Sequence, residues 1–95
     1  MQIAISKYIR PINEIDAIRP AHLEFLKNLI AQNKILMAGR QNPVTGGVII
    51  ANMNSVSELQ ETLQSDPFTL AGVAEYQIIE FTPVVTDERF KSFSL

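Results

Sequence analysis

The sequence contains no cysteine and only one histidine among its 95 residues. Without cysteine the chain has no disulfide, no thiol nucleophile and no thiolate metal site. A single histidine also excludes a metal site built from several histidines of one chain. Glycine-rich phosphate loops, dinucleotide-binding fingerprints and serine-nucleophile motifs are absent as well. We therefore expect neither a metal nor a cofactor.

Basic residues form no run, and the formal net charge is −2 with a pI of about 5.2. Such a chain offers no basic surface to a phosphate backbone, so nucleic acid is not an expected partner. No apolar stretch approaches the roughly 20 residues of a membrane span, and residues 1–8 do not resemble a secretory signal. We expect a cytoplasmic protein with no membrane partner.

Apolar periodicity predicts the order strand, helix, strand, strand, helix, strand. A first strand contains Ile3, Ile5 and Ile9, and the main helix covers about residues 19–33 with Pro20 at its first position. Residues 13–16 are polar enough for a loop or a single helical turn. Residues 35–38 and 48–51 predict a β-hairpin, residues 55–64 a second helix with a capping box, and residues 74–83 the last strand.

This order is that of the ferredoxin-like βαββαβ fold, an α+β fold with two helices on one face of an antiparallel sheet. The third and fourth strands are apolar on both faces, so we expect the helix-free face to pack against a second copy in a homodimer. One domain should cover residues 1–95, with a tail over residues 83–95. Phe90 and Phe93 of that tail should pack on the domain or across the dimer.

His22 lies on the helix face that also carries Leu26, Leu29 and Ile30. An ionisable side chain that points inward is either a satisfied core residue or part of a site. The periodicity leaves both roles open. In either role the imidazole needs a hydrogen-bond partner from elsewhere in the chain.

Asp66 is the expected partner of His22. Its context, Asp-Pro followed by Phe68 and Gly72, is also typical of an N-cap before a short helix that ends at a glycine. One carboxylate oxygen can cap the helix while the other meets an imidazole, so the two roles are compatible.

Arg19 and Arg40 are the cations nearest this pair in the predicted fold. Each can orient an anionic substrate or stabilise an oxyanion, and each can equally be a solvated surface residue. Gly46 and Gly47 can bring the backbone close to a small-molecule ligand, although a hairpin alone also explains them.

Several separated blocks, taken together, resemble the YCII-related (YciI-like) proteins over nearly the whole chain. The blocks are Arg19-Pro20-Ala21-His22-Leu23, Leu36-Met37-Ala38-Gly39, Gly46-Gly47, and Asp66-Pro67-Phe68 followed by Ala71-Gly72-Val73. The resemblance implies a ferredoxin-like subunit paired into a dimeric α/β barrel, with a His-Asp pair, here His22 and Asp66, as the active centre. The chain departs from a common form of the pattern at Asn33, where glycine often follows the helix, and at Arg40, where proline often follows Ala-Gly.

Two functional hypotheses follow. The family members with an assigned reaction resemble dehydrochlorinases or lactone-processing enzymes, which favours a cofactor-independent enzyme. In this hypothesis Asp66 orients His22, and His22 moves a proton during elimination or isomerisation of a small cyclic or aromatic acid. The alternative is a dimeric protein that binds a small molecule in the same pocket without chemistry, because the fold alone does not decide between them.

Overall fold

The structure is a computed structural model that describes residues 1–93, so Ser94 and Leu95 at the end of the predicted tail lie outside the described residues. The elements in chain order are β1 (Gln2–Tyr8), α1 (Ile12–Ala31), β2 (Ile35–Arg40), β3 (Gly47–Ala51), α2 (Val56–Leu63), α3 (Pro67–Leu70) and β4 (Ala74–Glu80). A 3-10 turn, Glu88–Phe90, follows in the tail. No helix within residues 1–93 is long and apolar enough to cross a membrane.

The four strands form one antiparallel sheet in the order β2-β3-β1-β4. The strands β1 and β3 pair with Ala4 opposite Ile49 and with Ile3 opposite Ile50. Successive side chains of a strand point to opposite faces, so these two pairs lie on opposite faces of the sheet. The predicted α+β fold with a ferredoxin-like strand order is confirmed.

Both long helices cover the face that carries Ala4 and Ile49. Their buried leucines join the sheet in one aliphatic cluster, called here the main core, which consists of Ala4, Leu26, Leu29, Ile35, Ile49, Ala51, Met53, Leu59 and Leu63. The helix α2 begins as predicted, because the Ser55 hydroxyl accepts a hydrogen bond of 3.1 Å from the backbone N–H of Glu58. This bond satisfies one of the free N–H groups at the helix start.

The helix-free face carries Ile3 and Ile5 of β1, whereas Gln2 and Ser6 of this strand face the helices. Gln2 is buried there and exchanges two hydrogen bonds with the Met53 backbone, of 2.9 and 3.0 Å. On the other face Ile3 lies between Ile50 and Ile79, and Ile79 is 46% exposed. A large apolar area of one chain therefore remains uncovered on this face.

The helix α1 begins at Ile12 and not at residue 19, and Pro20 lies inside it. An interior proline removes one helical hydrogen bond and costs about 3 kcal/mol. The two additional turns bury Ile15 completely and Ile18 in part, and burial of one such side chain contributes about 1.5–3 kcal/mol. Burial of similar magnitude therefore offsets the proline. Residues 13–16, predicted as a loop or a single helical turn, are helical and belong to α1.

The strand β4 ends at Glu80, three residues before the predicted end at residue 83. The Phe81 N–H still donates to the Met1 carbonyl at 3.0 Å, but Pro83 has no N–H to continue the ladder. In the tail, Phe90 and Phe93 line one groove together with Leu36 and Phe81. The tail thus lies against its own domain, which is one of the two predicted placements.

Candidate active site

Asp66 caps the short helix α3 in the way that its sequence predicts. Pro67 occupies the first turn of α3, and the Phe68 N–H donates to Asp66 Oδ1 at 3.0 Å. Gly72 follows the helix with φ +67°, a left-handed conformation that glycine adopts without strain. This local structure holds the carboxylate in a fixed place against α1.

The carboxylate meets the only imidazole of the chain. His22 Nδ1 lies 2.7 Å from Asp66 Oδ1, and the two residues are 8% and 0% exposed. An ionised carboxylate only accepts hydrogen bonds, so the ring proton lies on Nδ1 in neutral His22. The structure therefore brings together the two residues that the sequence pairs.

The second ring nitrogen of His22, Nε2, retains some exposure to solvent. Within residues 1–93 Nε2 makes no hydrogen bond, yet the described residues contain no buried side-chain nitrogen or oxygen without a partner. Nε2 is therefore not fully buried. With the proton on Nδ1, the accessible Nε2 carries the lone pair and can accept a proton.

The ring of His22 stacks on Phe68, with centroids 3.8 Å apart and an angle of 10° between the ring planes. Phe68 is buried and belongs to a second apolar cluster, called here the site cluster, which consists of Ile15, Phe68, Val73 and Ala74. Stacking on a buried ring restricts rotation of the imidazole. Of the neighbours predicted for His22 on its helix face, Leu26 and Leu29 are buried, whereas Ile30 is 42% exposed.

The sequence predicts that one carboxylate oxygen of Asp66 caps the helix while the other meets the imidazole, but in the structure one oxygen does both. Oδ1 alone accepts from both the imidazole and the helix N–H, and Oδ2 accepts from the Tyr76 hydroxyl. Burial, and then the Asp66 charge, raises the pKa of Tyr76 far above its usual range, so this hydroxyl remains a donor. Sequence reasoning missed Tyr76, since a tyrosine on an alternating strand gives no signal of such a contact.

A small cleft of about 80 Å³ reaches His22. Its walls come from β1, α1, both hairpin strands, α3 and β4, and they include all the predicted site residues except the buried Asp66. The lining residues are Ser6, Tyr8, Arg19, His22, Leu23, Leu26, Ala38, Gly39, Arg40, Gly47, Val48, Ile49, Phe68 and Tyr76.

The two arginines of the cleft differ in their partners. Arg40 forms an ion pair with Asp16 and donates to the Tyr8 hydroxyl at 3.2 Å, and the hydrogen bond to Asp16 is the main cause that raises the pKa of Arg40. Arg19 forms no ion pair with any residue in the described part of the chain. Arg19 is thus the cation of the cleft whose charge is available to a ligand.

The glycines of the hairpin serve the packing of β3 against β1. A Cβ on Gly46 would lie 1.7 Å from the Ser6 carbonyl oxygen, and the Gly47 N–H donates to Ser6 Oγ at 2.7 Å. Gly46 is therefore required by close approach of two backbones. Gly47 forms part of the cleft wall, but its N–H is already bonded within the protein.

Within residues 1–93 there is no group of three or more histidine, cysteine, aspartate or glutamate side chains that could hold a metal ion. The polar side chains that line the cleft are one imidazole, one serine and two tyrosine hydroxyls and two guanidinium groups, and the buried Asp66 carboxylate lies behind the imidazole. Such a set can bind a small anion and can transfer a proton.

Comparison with known proteins identifies the family of this chain. A protein-family model, the YCII-related domain, matches residues 1–82. The chain belongs to the YCII-related family. This YCII-related chain is 33% identical to the uncharacterized protein YjpA of Bacillus subtilis strain 168 over 60 residues, which cover 63% of this chain and 71% of YjpA.

Among solved structures the YCII-related chain is similar to 5-chloro-2-hydroxyhydroquinone dehydrochlorinase (TftG) from Burkholderia phenoliruptrix AC1100, in complex with 2,5-dihydroxybenzoquinone. The TM-score is 0.71 with 26% sequence identity, over 86% of this chain and 94% of TftG. The family resemblance noted from the sequence is thus confirmed, and the fold is similar to that of a protein solved in complex with a small ring compound.

Proposed function

We propose that this YCII-related chain is a small cofactor-independent enzyme in which His22 transfers a proton during elimination or isomerisation of a small cyclic or aromatic acid. The observation that carries the proposal is the 2.7 Å contact between His22 Nδ1 and the fully buried Asp66. The contact favours the tautomer whose basic nitrogen, Nε2, is accessible from the cleft. General acid-base catalysis by an imidazole needs this arrangement.

In an elimination, Nε2 would take a proton from a substrate carbon while a leaving group departs with its bonding electron pair, and a double bond forms between the two carbons. In an isomerisation, the same nitrogen would return the proton to a different carbon. In both reactions the imidazolium is transient, and the negative charge of Asp66 at 2.7 Å stabilises it. Asp66 therefore acts through His22.

We propose Arg19 as the group that binds the negative charge of the substrate, because it lines the cleft without an ion pair in residues 1–93. An anion at Arg40 would have to compete with Asp16, so Arg40 is the weaker candidate and shapes one wall of the cleft. We propose that Gly47 contributes to the shape of the cleft, because the absence of a side chain leaves space beside Gly39.

The proposed substrate class is supported by TftG, which is named as a dehydrochlorinase and was solved with 2,5-dihydroxybenzoquinone. Removal of hydrogen chloride is an elimination, and the bound compound is an oxygen-rich ring. The cleft of about 80 Å³ is smaller than the roughly 150 Å³ cavity that holds benzene in another protein. A ring ligand would therefore extend beyond the enclosed part of one subunit.

We also propose that the chain forms a homodimer through its helix-free sheet face, as predicted from the third and fourth strands, which are apolar on both faces. On this face Met37 and Ile79 are 51% and 46% exposed, and they lie beside the half-buried Ile3 and Ile50. An obligate interface of this kind buries on the order of 2,000 Å². Light scattering should give twice the chain mass, and Ile79→Lys should produce a folded monomer; a monomeric wild type would exclude the dimer.

The function is tested first by a thermal-shift screen of hydroxylated and chlorinated ring acids, followed by turnover assays on each compound that binds. His22→Asn should lower turnover by about 10²–10⁴-fold, the usual contribution of a general base. Glu24→Gln is the matched control, because it changes an exposed polar residue on the same helix. Binding without turnover, unchanged in His22→Asn, would instead identify a non-catalytic binding protein.

A further inference from the structure

The hydroxyl of Tyr76 is the third donor to the Asp66 carboxylate and the only one that reaches Oδ2 within residues 1–93. The other two donors, His22 Nδ1 at 2.7 Å and the Phe68 N–H at 3.0 Å, both bind Oδ1. The three donors come from β4, α1 and α3. The carboxylate is thus held at both oxygens by separate elements of the fold.

A carboxylate with a donor on each oxygen cannot rotate about its Cβ–Cγ bond without breaking a hydrogen bond. If the Tyr76 hydroxyl were absent, Oδ2 would be a buried, charged acceptor without a partner, because Asp66 is 0% exposed. The side chain would relieve this cost by rotating toward another partner. Rotation would move Oδ1 away from His22 Nδ1, which would then lose its acceptor.

We propose that Tyr76 is a positioning residue, whose hydroxyl fixes the Asp66 carboxylate and thereby keeps the proton of neutral His22 on Nδ1. The link to turnover rests on the proposed function, whereas the link to the tautomer does not. The raised pKa of Tyr76 agrees with this role, since the phenol stays protonated over the pH range in which proteins work.

The test measures the tautomer of His22 by ¹⁵N NMR, which is free of overlap because the chain has one histidine. Wild type should show the neutral ring with its proton on Nδ1. In Tyr76→Phe, which keeps the aromatic ring, we expect the ratio of the Nδ1–H to the Nε2–H tautomer to fall by about tenfold. No substrate is needed, so this test can fail while the proposed enzyme function stands, and the reverse also holds.

Tyr8→Phe is the matched control, because it removes the other tyrosine hydroxyl of the cleft, which binds Arg40 and not Asp66. The tautomer ratio should keep its wild-type value in this variant. A wild-type ratio in Tyr76→Phe, or an equal fall in both variants, would overturn the proposal.

If Tyr76→Phe does not fold, 3-fluorotyrosine incorporated into the Tyr8→Phe chain places the substituent at Tyr76 alone, since the chain has two tyrosines. The fluorinated phenol is more acidic and donates a stronger hydrogen bond to Oδ2. Because this bond withdraws negative charge from Oδ1, Oδ1 becomes a weaker acceptor. The proton signal of His22 Nδ1–H should then move upfield. An unchanged signal in this folded protein would overturn the proposal as well.

Discussion

The two apolar clusters of the fold differ in what they enclose. The main core consists of aliphatic residues from α1, α2 and the sheet, together with Met53. The site cluster is smaller, and its Phe68 forms the stacking surface for His22 and donates its N–H to Asp66. Most of the apolar burial therefore lies in the main core, which meets the site where Tyr76 packs against it.

The helix α1 connects the two clusters, with Leu26 and Leu29 in the main core and Ile15 in the site cluster. His22 lies between these two sets on the same helix. The helix therefore contributes to the main core near its C-terminal end, to the site cluster near its N-terminal end, and to the polar pair from its middle.

A large effect on stability is expected from Leu59→Ala, which removes a fully buried side chain from the main core. Substitutions of this type lower the free energy of unfolding by about 2–5 kcal/mol. The tautomer of His22 should not change, because Leu59 does not belong to the site cluster. Denaturant unfolding and ¹⁵N NMR on the same sample check both statements, and a shifted tautomer would show that the two clusters are not independent.

A loss of stability of similar size is expected from Asp66→Ala. The change leaves three donors without their acceptor, namely His22 Nδ1, the Phe68 N–H and the Tyr76 hydroxyl. A buried group that loses its partner costs about 1–3 kcal/mol, and here the Nδ1–H tautomer should also lose its preference.

Asp66→Asn is the matched control for that variant, because the amide oxygen can still accept from Phe68 or His22. Its loss in the free energy of unfolding should be smaller than that of Asp66→Ala. Wild-type stability in Asp66→Ala would show that the buried pair contributes nothing to the fold.

The smallest expected effect is a pH dependence of the free energy of unfolding that arises from Tyr76. Tyrosine ionises near pH 10 in an unfolded chain, whereas burial and Asp66 raise the pKa of Tyr76 in the folded protein. Above about pH 10 the unfolded state therefore releases a proton that the folded state keeps. The contribution of Tyr76 is complete below this pH and is lost as pH rises, by up to about 1.4 kcal/mol per pH unit.

Denaturant unfolding between about pH 9 and pH 11 measures this slope. Tyr76→Phe should flatten it, whereas Leu59→Ala should lower the whole curve and keep the slope. Equal slopes in wild type and Tyr76→Phe would contradict the assignment of the alkaline effect to this residue.

Much of the fold was predictable because it depends on local patterns. The alternation of the strands and the two capping signals, at Ser55 and at Asp66, each depend on a few neighbouring residues. The structure confirms both caps. The pairing of His22 with Asp66 was also predictable, since one lies on an inward helix face and the other at a cap.

The remaining features depend on tertiary contacts that no local pattern carries. The start of α1 follows from burial of Ile15 against residues more than fifty positions later, which outweighs the local signal of Pro20. Tyr76 and Asp16 contact partners that lie outside their own strand and helix, namely Asp66 and Arg40. Asn33 is an intermediate case, because its φ of +59° explains why glycine suits this position and asparagine tolerates it.

The close approach at Gly46 has a consequence for mutational tolerance. The Ser6 carbonyl leaves no room for a side chain at this position, and the clashing atom belongs to a central strand that cannot move aside. A library that randomises residues 42–46 should therefore accept many residue types at the exposed Val44 but recover glycine alone at residue 46. The residues that connect β2 and β3 can therefore differ in type, whereas the last of them, Gly46, must remain glycine because the Ser6 backbone lies against it.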